Sequence, residues 1–214
     1  MTEFWEKSFK NKQEMWGFEP SQSTVLTSDF FSENNVKNVL ILGIGYGRNA
    51  QIFLENGMTV TGIEISQTAI DLAYKHFGSN LTIYHGSVTD MPFDKKLYDG
   101  IYSYALIHFL DKDERKKLIQ DCFNQLSDNG YMLFATITKD AEIYGRGTCI
   151  DKDKFKIFGG LKMFFYDLKT IQEEFGNAGL FEIIDVLDIY PFYLIKCKRN
   201  KASNLKESLC QTSN

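Results

Sequence analysis

From residue 38 onward, apolar and polar positions change period in regular alternation. Mostly apolar runs short enough for strands occupy 38–43, 59–65, 81–85, 98–104 and 131–138. Between and after them, apolar residues return every three or four positions, which predicts helices over 47–57, 67–78, 112–127 and 168–178. The boundaries carry matching chemistry. Ser66 and Asp167 stand where N-caps belong, Gly78 follows the last turn of the second helix, and Asp128-Asn129-Gly130 marks a turn from helix to strand. Two late strands, 181–188 and 191–198, lie close enough around Pro191 to pair antiparallel. Strand alternating with helix buries a parallel sheet under helices on both faces, so the pattern predicts a doubly wound α/β fold.

Three segments depart from this alternation. Residues 1–35 carry no strand signal; Phe4, Trp5, Phe9, Met15, Trp16 and Phe18 are spread among charges ahead of Pro20-Ser21. This reads as an N-terminal helical arm, either capping the sheet or serving as a lid. Residues 139–166 fit no regular period and hold Gly145, Gly147, Gly159 and Gly160 among many aromatics, as an insertion over a pocket would. Residues 201–214 are polar and read as a flexible tail, leaving 36–200 as the main domain.

Composition narrows the class. The 214 residues fit one domain, and the 43% hydrophobic fraction, with 18 Phe and 11 Tyr, supports a large core or an aromatic-lined pocket. A net charge of −4 provides no global field for nucleic acid or anionic membrane. Cys122, Cys149, Cys197 and Cys210 are far apart, and His76, His85 and His108 match no metal spacing, so no metal is expected. The start Met-Thr-Glu-Phe-Trp-Glu is not a signal peptide, and no apolar run approaches the ~20 residues of a membrane span. A reduced, cytoplasmic location is expected.

The candidate chemistry begins at Val39–Ala50, a buried strand, a glycine-rich turn and a helix start. Glu64 ends the next apolar run. Glycines that admit a ligand to the backbone, followed by a carboxylate able to accept from ribose hydroxyls, form a nucleoside-binding crevice. Dinucleotide sites use G-x-G-x-x-G; here the glycines are Gly43, Gly45 and Gly47, and Arg48 occupies the place of the third dinucleotide glycine. About 150 residues remain after Glu64, which completes one sheet and leaves little room for a separate catalytic domain. No G-K-[ST] follows, which excludes a P-loop.

Four elements in order over residues 36 to 138 resemble class I S-adenosylmethionine-dependent methyltransferases, of the small bacterial kind that includes the tellurite-resistance methyltransferases. They are Leu42–Ala50, Val60–Ser66, His85–Phe93 and Leu97–Tyr104 with the following Leu106–Leu110. Two departures stand out: Ser87 replaces the Asp that many relatives carry, and Ile41 and Ile44 replace their Asp and Cys. The resemblance implies a Rossmann-like sheet of roughly seven strands with the last reversed, and S-adenosylmethionine as cofactor. It places Gly43, Ile44, Gly45, Gly47, Arg48, Glu64, Ile65, Ser87, Val88 and Ser103 at the cofactor. It places Tyr104 and His108 where substrate meets the methyl group, His108 either as general base or as a packed residue. A soft nucleophile would need no base. Trp16, Tyr46, Tyr104, Tyr144 and Tyr166 are candidate walls, suited to an aromatic or cationic amine. With only Pro20, Pro92 and Pro191, the chain has neither an [DNS]-P-P-[YFW] nor a Pro-Cys loop, so a small-molecule acceptor is expected rather than DNA. The competing readings are a non-catalytic cofactor-binding module and a nicotinamide-dependent reductase.

Overall fold

A computed structural model describes residues 2–201. The expected flexible tail, apart from Lys201, lies outside the described residues, as does Cys210. The chain opens with α1 (Thr2–Lys12) and α2 (Gln22–Glu33), then β1 (Asn38–Leu42), α3 (Ala50–Glu55), β2 (Thr59–Glu64), α4 (Gln67–Phe77) and β3 (Leu81–His85). There follow β4 (Tyr98–Tyr104), α5 (Lys112–Gln125), β5 (Leu126–Ile137), β6 (Thr148–Asp151), β7 (Lys154–Ile157) and β8 (Leu161–Phe164). The chain continues through α6 (Leu168–Phe175), β9 (Leu180–Leu187) and β10 (Pro191–Lys198).

Seven strands form one sheet in the order β3-β2-β1-β4-β5-β10-β9. β1 to β5 pair in parallel, and β10 is antiparallel to both β5 and β9. Only the last strand is therefore reversed. The three residues between β9 and β10 are too few for a crossover, so they close a hairpin, whereas α6 supplies the crossover that returns β9 parallel to β5. The period-two alternation divides the core by face. Val39 and Ile41 of β1 join Phe31, Phe53 and Tyr102, while Leu40 and Leu42 join Ile101, Met132, Phe134 and Leu118.

The expected caps form. Ser66 Oγ accepts from the Ala69 amide at 3.2 Å, and Asp167 Oδ1 from that of Thr170 at 2.8 Å. α3 begins at Ala50 rather than 47, because Gly47 is left-handed (φ +88°) and cannot open the helix. β5 begins at Leu126 rather than 131. Tyr98 pairs with Leu126 and Gly100 already with Tyr131, so residues 127–130 loop out of the ladder with Asn129 at φ +63°. That loop is the expected turn.

The segment 139–166 is not irregular. β6, β7 and β8 form a separate antiparallel sheet, joined by a turn with Asp153 at φ +60° and another through Phe158 and Gly159. Lys139 Nζ ties it down, reaching Asp153 at 2.7 Å and Asp167 at 2.6 Å. Tyr166 donates its amide to Ile137 O at 3.1 Å, which returns the chain to the main sheet.

Candidate active site

A cavity of about 430 Å³ opens at the carboxyl ends of β1 to β4, where the strand order reverses direction between β1 and β4. Doubly wound sheets bind ligands at such a switch point, because the loops there diverge and leave a crevice. Gly43, Ile44 and Gly45 form its floor after β1, Glu64 and Ile65 its wall after β2, Ser87 and Val88 a ledge after β3, and Tyr104 stands at the end of β4.

The floor and the acid form one unit. Glu64 is buried, with Oε2 accepting from Gly45 N at 2.8 Å and Oε1 from Ile65 N at 2.8 Å and Ser66 N at 2.9 Å. Burial raises the affinity of this carboxyl for its proton, and the three amide donors oppose that shift. Two carboxylate oxygens offer about four acceptor positions. The protein fills three, which leaves one on Oε2 of a residue that lines the cavity. Gly43 is left-handed (φ +64°) and packs against Leu106, whose Cδ1 would lie 2.4 Å from an added Cβ, so a side chain here would strain the backbone and displace Leu106.

Arg48 lines the cavity with its Nε donating to Glu19 O, and no other group among the described residues bonds its guanidinium. Lys12 of α1 lines it as well. On the ledge, Ser87 Oγ is shared with Thr89 Oγ1 at 2.7 Å, while Asp90 does not line the cavity.

At the far end stand Tyr104 and His108. Tyr104 stacks on Phe192 (5.6 Å, 14°), and burial pushes its hydroxyl up to about 12. His108 is 2% exposed, and burial lowers its pKa to about 3. β5 extends past the end of β4, so the Ile137 amide has no strand to donate to, and it donates to His108 Nδ1 at 3.5 Å; Thr136 Oγ1 lies 3.1 Å from the same nitrogen. With Nδ1 accepting, Nε2 carries the hydrogen. Nothing among the described residues bonds Nε2, and it is not enclosed as Ser103 Oγ is. Burial disfavours the imidazolium that a general base would become, so the arrangement favours a hydrogen-bond donor at Nε2 over the expected general base.

α1 roofs the cavity with Phe4, Trp5, Ser8, Phe9 and Lys12, and Met15 and Trp16 continue the roof. Trp5 meets Phe109 edge-on at 5.4 Å, and Trp16 stacks on Tyr46 at 6.4 Å. A polar latch holds this roof. Glu6 accepts from Ser66 Oγ and Thr68 Oγ1, both at 2.7 Å, and from Thr68 N at 3.3 Å, at the N-terminus of α4. Those hydroxyl bonds lower the Glu6 carboxyl to about 2.

Of the expected site residues, the cavity gathers Gly43, Ile44, Gly45, Arg48, Glu64, Ile65, Ser87, Val88, Tyr104 and His108. It does not gather Gly47 or Ser103. Gly47 is a glycine because Phe77 occupies the space of its Cβ, at 2.5 Å, and Ser103 lies enclosed within the sheet. Of the expected walls, Trp16, Tyr46 and Tyr104 line the cavity; Tyr166 bonds Glu174 in the core at 2.9 Å, and Tyr144 bonds Asp153 at 2.7 Å. Reading the sequence did not single out Phe109, Met163, Ile189, Tyr190 and Phe192 as lining residues. The proximity of Phe109 to His108 was the only available signal. No group of three or more metal-ligating side chains gathers among the described residues, and no helix among them is long and apolar enough to cross a membrane.

Comparison with known proteins agrees with this geometry. Residues 39–130 match the family model described as a methyltransferase domain. The chain is 28% identical over 112 residues to the O-methyltransferase resE of Aspergillus sclerotiorum, covering 49% of this chain and 41% of that protein. It is 30% identical over 109 residues to an uncharacterized methyltransferase of Geobacillus sp. (strain WCH70), covering 50% and 51%. The chain thus spans about half the length, or less, of these curated relatives. Among solved structures, the 1,6-didemethyltoxoflavin-N1-methyltransferase of Burkholderia thailandensis, with bound 1,6-didemethyltoxoflavin and S-adenosylhomocysteine, superposes with a TM-score of 0.73 at 15% identity. That superposition covers 94% of this chain and 87% of that one; at this identity the likeness shows the fold.

Proposed function

We propose that this protein is a class I S-adenosylmethionine-dependent methyltransferase that acts on a small-molecule acceptor and releases S-adenosylhomocysteine. The observation that carries this reading is the Glu64 carboxylate, held by three backbone amides beside the glycine floor with one acceptor position left open. A ribose hydroxyl is the donor such a position suits. The residues present fit the cofactor along its whole length. Ser87 and Val88 would flank the adenine, Gly43 to Gly45 would allow backbone approach, and the free Arg48 nitrogens would take the carboxylate of the methionine portion.

When bound, the cofactor supplies a methyl carbon made electrophilic by its sulfonium, so the protein has chiefly to align and enclose. Tyr104 and His108 border the far end of the cavity, where the acceptor would sit, and α1 excludes water from above. The finer resemblance, to the tellurite-resistance enzymes, rests on the four cofactor-side elements and assigns no acceptor. A cytoplasmic site of action and the absence of nucleic-acid partners belong to the same proposal, the second supported by the net charge of −4.

The test is transfer of labelled methyl groups from S-adenosylmethionine in the presence of pooled small phenols, thiols and N-heterocycles, with transfer RNA and bulk protein as competitors. The proposal expects label in the organic extract. Label recovered only in the nucleic-acid or protein precipitate would contradict it.

A further inference from the structure

The acceptor end of the cavity has its own composition. Two aromatic pairs border it, Trp5 with Phe109 and Tyr104 with Phe192, and the His108 ring lies between them, 4.3 Å from Phe109 and 6.1 Å from Phe192. Leu161, Met163 and Ile189 complete an apolar enclosure. Charge is distributed unevenly. Lys12 and Arg48 bring two cations to the lining, whereas Glu64 is its only acid among the described residues, with three of its four acceptor positions filled at the ribose end; Asp188, behind Tyr104, is held by the Gln22 amide and the Ser23 hydroxyl. The directional polar groups among these aromatic rings are the Tyr104 hydroxyl, the Trp5 indole N–H and His108 Nε2, and His108 presents Nε2–H as a donor when Nδ1 accepts from the Ile137 amide behind it.

We propose that the acceptor is a flat, uncharged or anionic aromatic compound, sandwiched by these rings and oriented by a hydrogen bond from His108 Nε2–H to one of its carbonyl, phenolate or ring-nitrogen acceptors. This rests on the methyltransferase reading. A protonated amine is disfavoured, because the one acid that lines the cavity among the described residues, Glu64, is engaged at the ribose end and leaves no carboxylate for an ammonium at the acceptor end. The bare aromatic faces would attract a cation, but without a carboxylate beside them too weakly to offset its loss of hydration. The bond-making step requires no protein base. The acceptor's proton goes to solvent before binding, its heteroatom lone pair forms the bond to the methyl carbon, and the carbon–sulfur bond breaks with its pair passing to sulfur. Acceptors with an acidic O–H or N–H are therefore the matching class.

Protein preloaded with S-adenosylhomocysteine is titrated calorimetrically with 7-hydroxycoumarin, lumazine and 2-phenylethylamine. The two flat probes should bind at least tenfold tighter than the amine. His108→Ala should weaken them at least fivefold and His108→Gln, which retains an N–H donor, should recover most of that loss; S-adenosylhomocysteine affinity should stay within twofold in both. Because His108→Ala also leaves the Ile137 amide without its acceptor and can impair folding, Phe109→Leu serves as a second arm, with weakening of at least threefold. Equal or tighter binding of the amine, or flat-probe binding unmoved by these substitutions, overturns the inference. Failure of wild-type protein to load S-adenosylhomocysteine is seen before any probe is added and removes the methyltransferase reading together with this inference.

Discussion

Replacing Glu64 by Gln separates bracing from binding. The carboxylate presents about four acceptor positions, of which the amides of Gly45, Ile65 and Ser66 fill three. A glutamine keeps one oxygen with two positions. If that oxygen stays with Ile65 and Ser66, the side-chain NH2 opposes the Gly45 amide, and the open position for ribose becomes a donor. One buried donor left unpaired costs about 1–3 kcal/mol. For a chain of this size that lowers Tm by roughly 4–8 °C for a loss of about 2 kcal/mol. In the liganded protein, loss of the ribose acceptor should weaken S-adenosylhomocysteine roughly 10–30-fold, about 1.4–2 kcal/mol. Scanning calorimetry reads the first effect and titration calorimetry the second. Because burial raises the Glu64 pKa, wild-type affinity should also fall with acidification sooner than an ordinary carboxylate would dictate, and the glutamine variant should lack that dependence. A lowered Tm with affinity unchanged within twofold would refute the ribose role and leave Glu64 as a brace for the glycine floor.

Further predictions concern the roof, the turn and the core. Glu6 is held by Ser66 and Thr68 with its pKa depressed to about 2, so the latch is fully present above the ordinary carboxylate range and is lost as pH falls through about 2. Glu6→Gln should weaken it at neutral pH, seen as a red shift and greater acrylamide quenching of tryptophan emission; the chain's two tryptophans, Trp5 and Trp16, both lie on the roof, and an unchanged spectrum would count against the latch. Gly47→Ala forces a side chain into φ +88° and onto Phe77, so stability should fall by about 1–3 kcal/mol while S-adenosylhomocysteine affinity of the folded protein stays within threefold; a large affinity loss would return Gly47 to the binding site. Arg115 is buried with Glu174 at 2.7 Å, so Arg115→Met strands a buried carboxylate and should cost about 3–5 kcal/mol, a Tm loss of about 6–20 °C; a loss below 3 °C would contradict that reading.

The main sheet was legible in the sequence because central strands such as β1 are buried and read as apolar runs, and because caps such as Ser66 and Asp167 are local signals. The direction of β9 was not legible, since it depends on β10 inserting between β9 and β5, a long-range choice. The small sheet of β6 to β8 was missed because its strands are four residues long and β6 is exposed throughout. Its trace was nevertheless present, in the alternation of Lys154-Phe155-Lys156-Ile157 and Leu161-Lys162-Met163-Phe164 around Gly159-Gly160. In the site, residues adjacent to the glycine turn could be read off by spacing. Gly47 and Ser103 could not be separated from the binding residues, because a glycine needed for packing and one needed for a ligand look alike in sequence. The donor state of His108 depends on an unpaired amide 29 residues away, which no local pattern records.

The most direct test of the account is calorimetric titration of the wild-type protein with S-adenosylhomocysteine and, separately, with NAD. The account predicts saturable micromolar binding of S-adenosylhomocysteine, one per chain, and no heat from NAD. Binding of NAD without binding of S-adenosylhomocysteine would contradict it and assign the glycine floor and Glu64 to a dinucleotide.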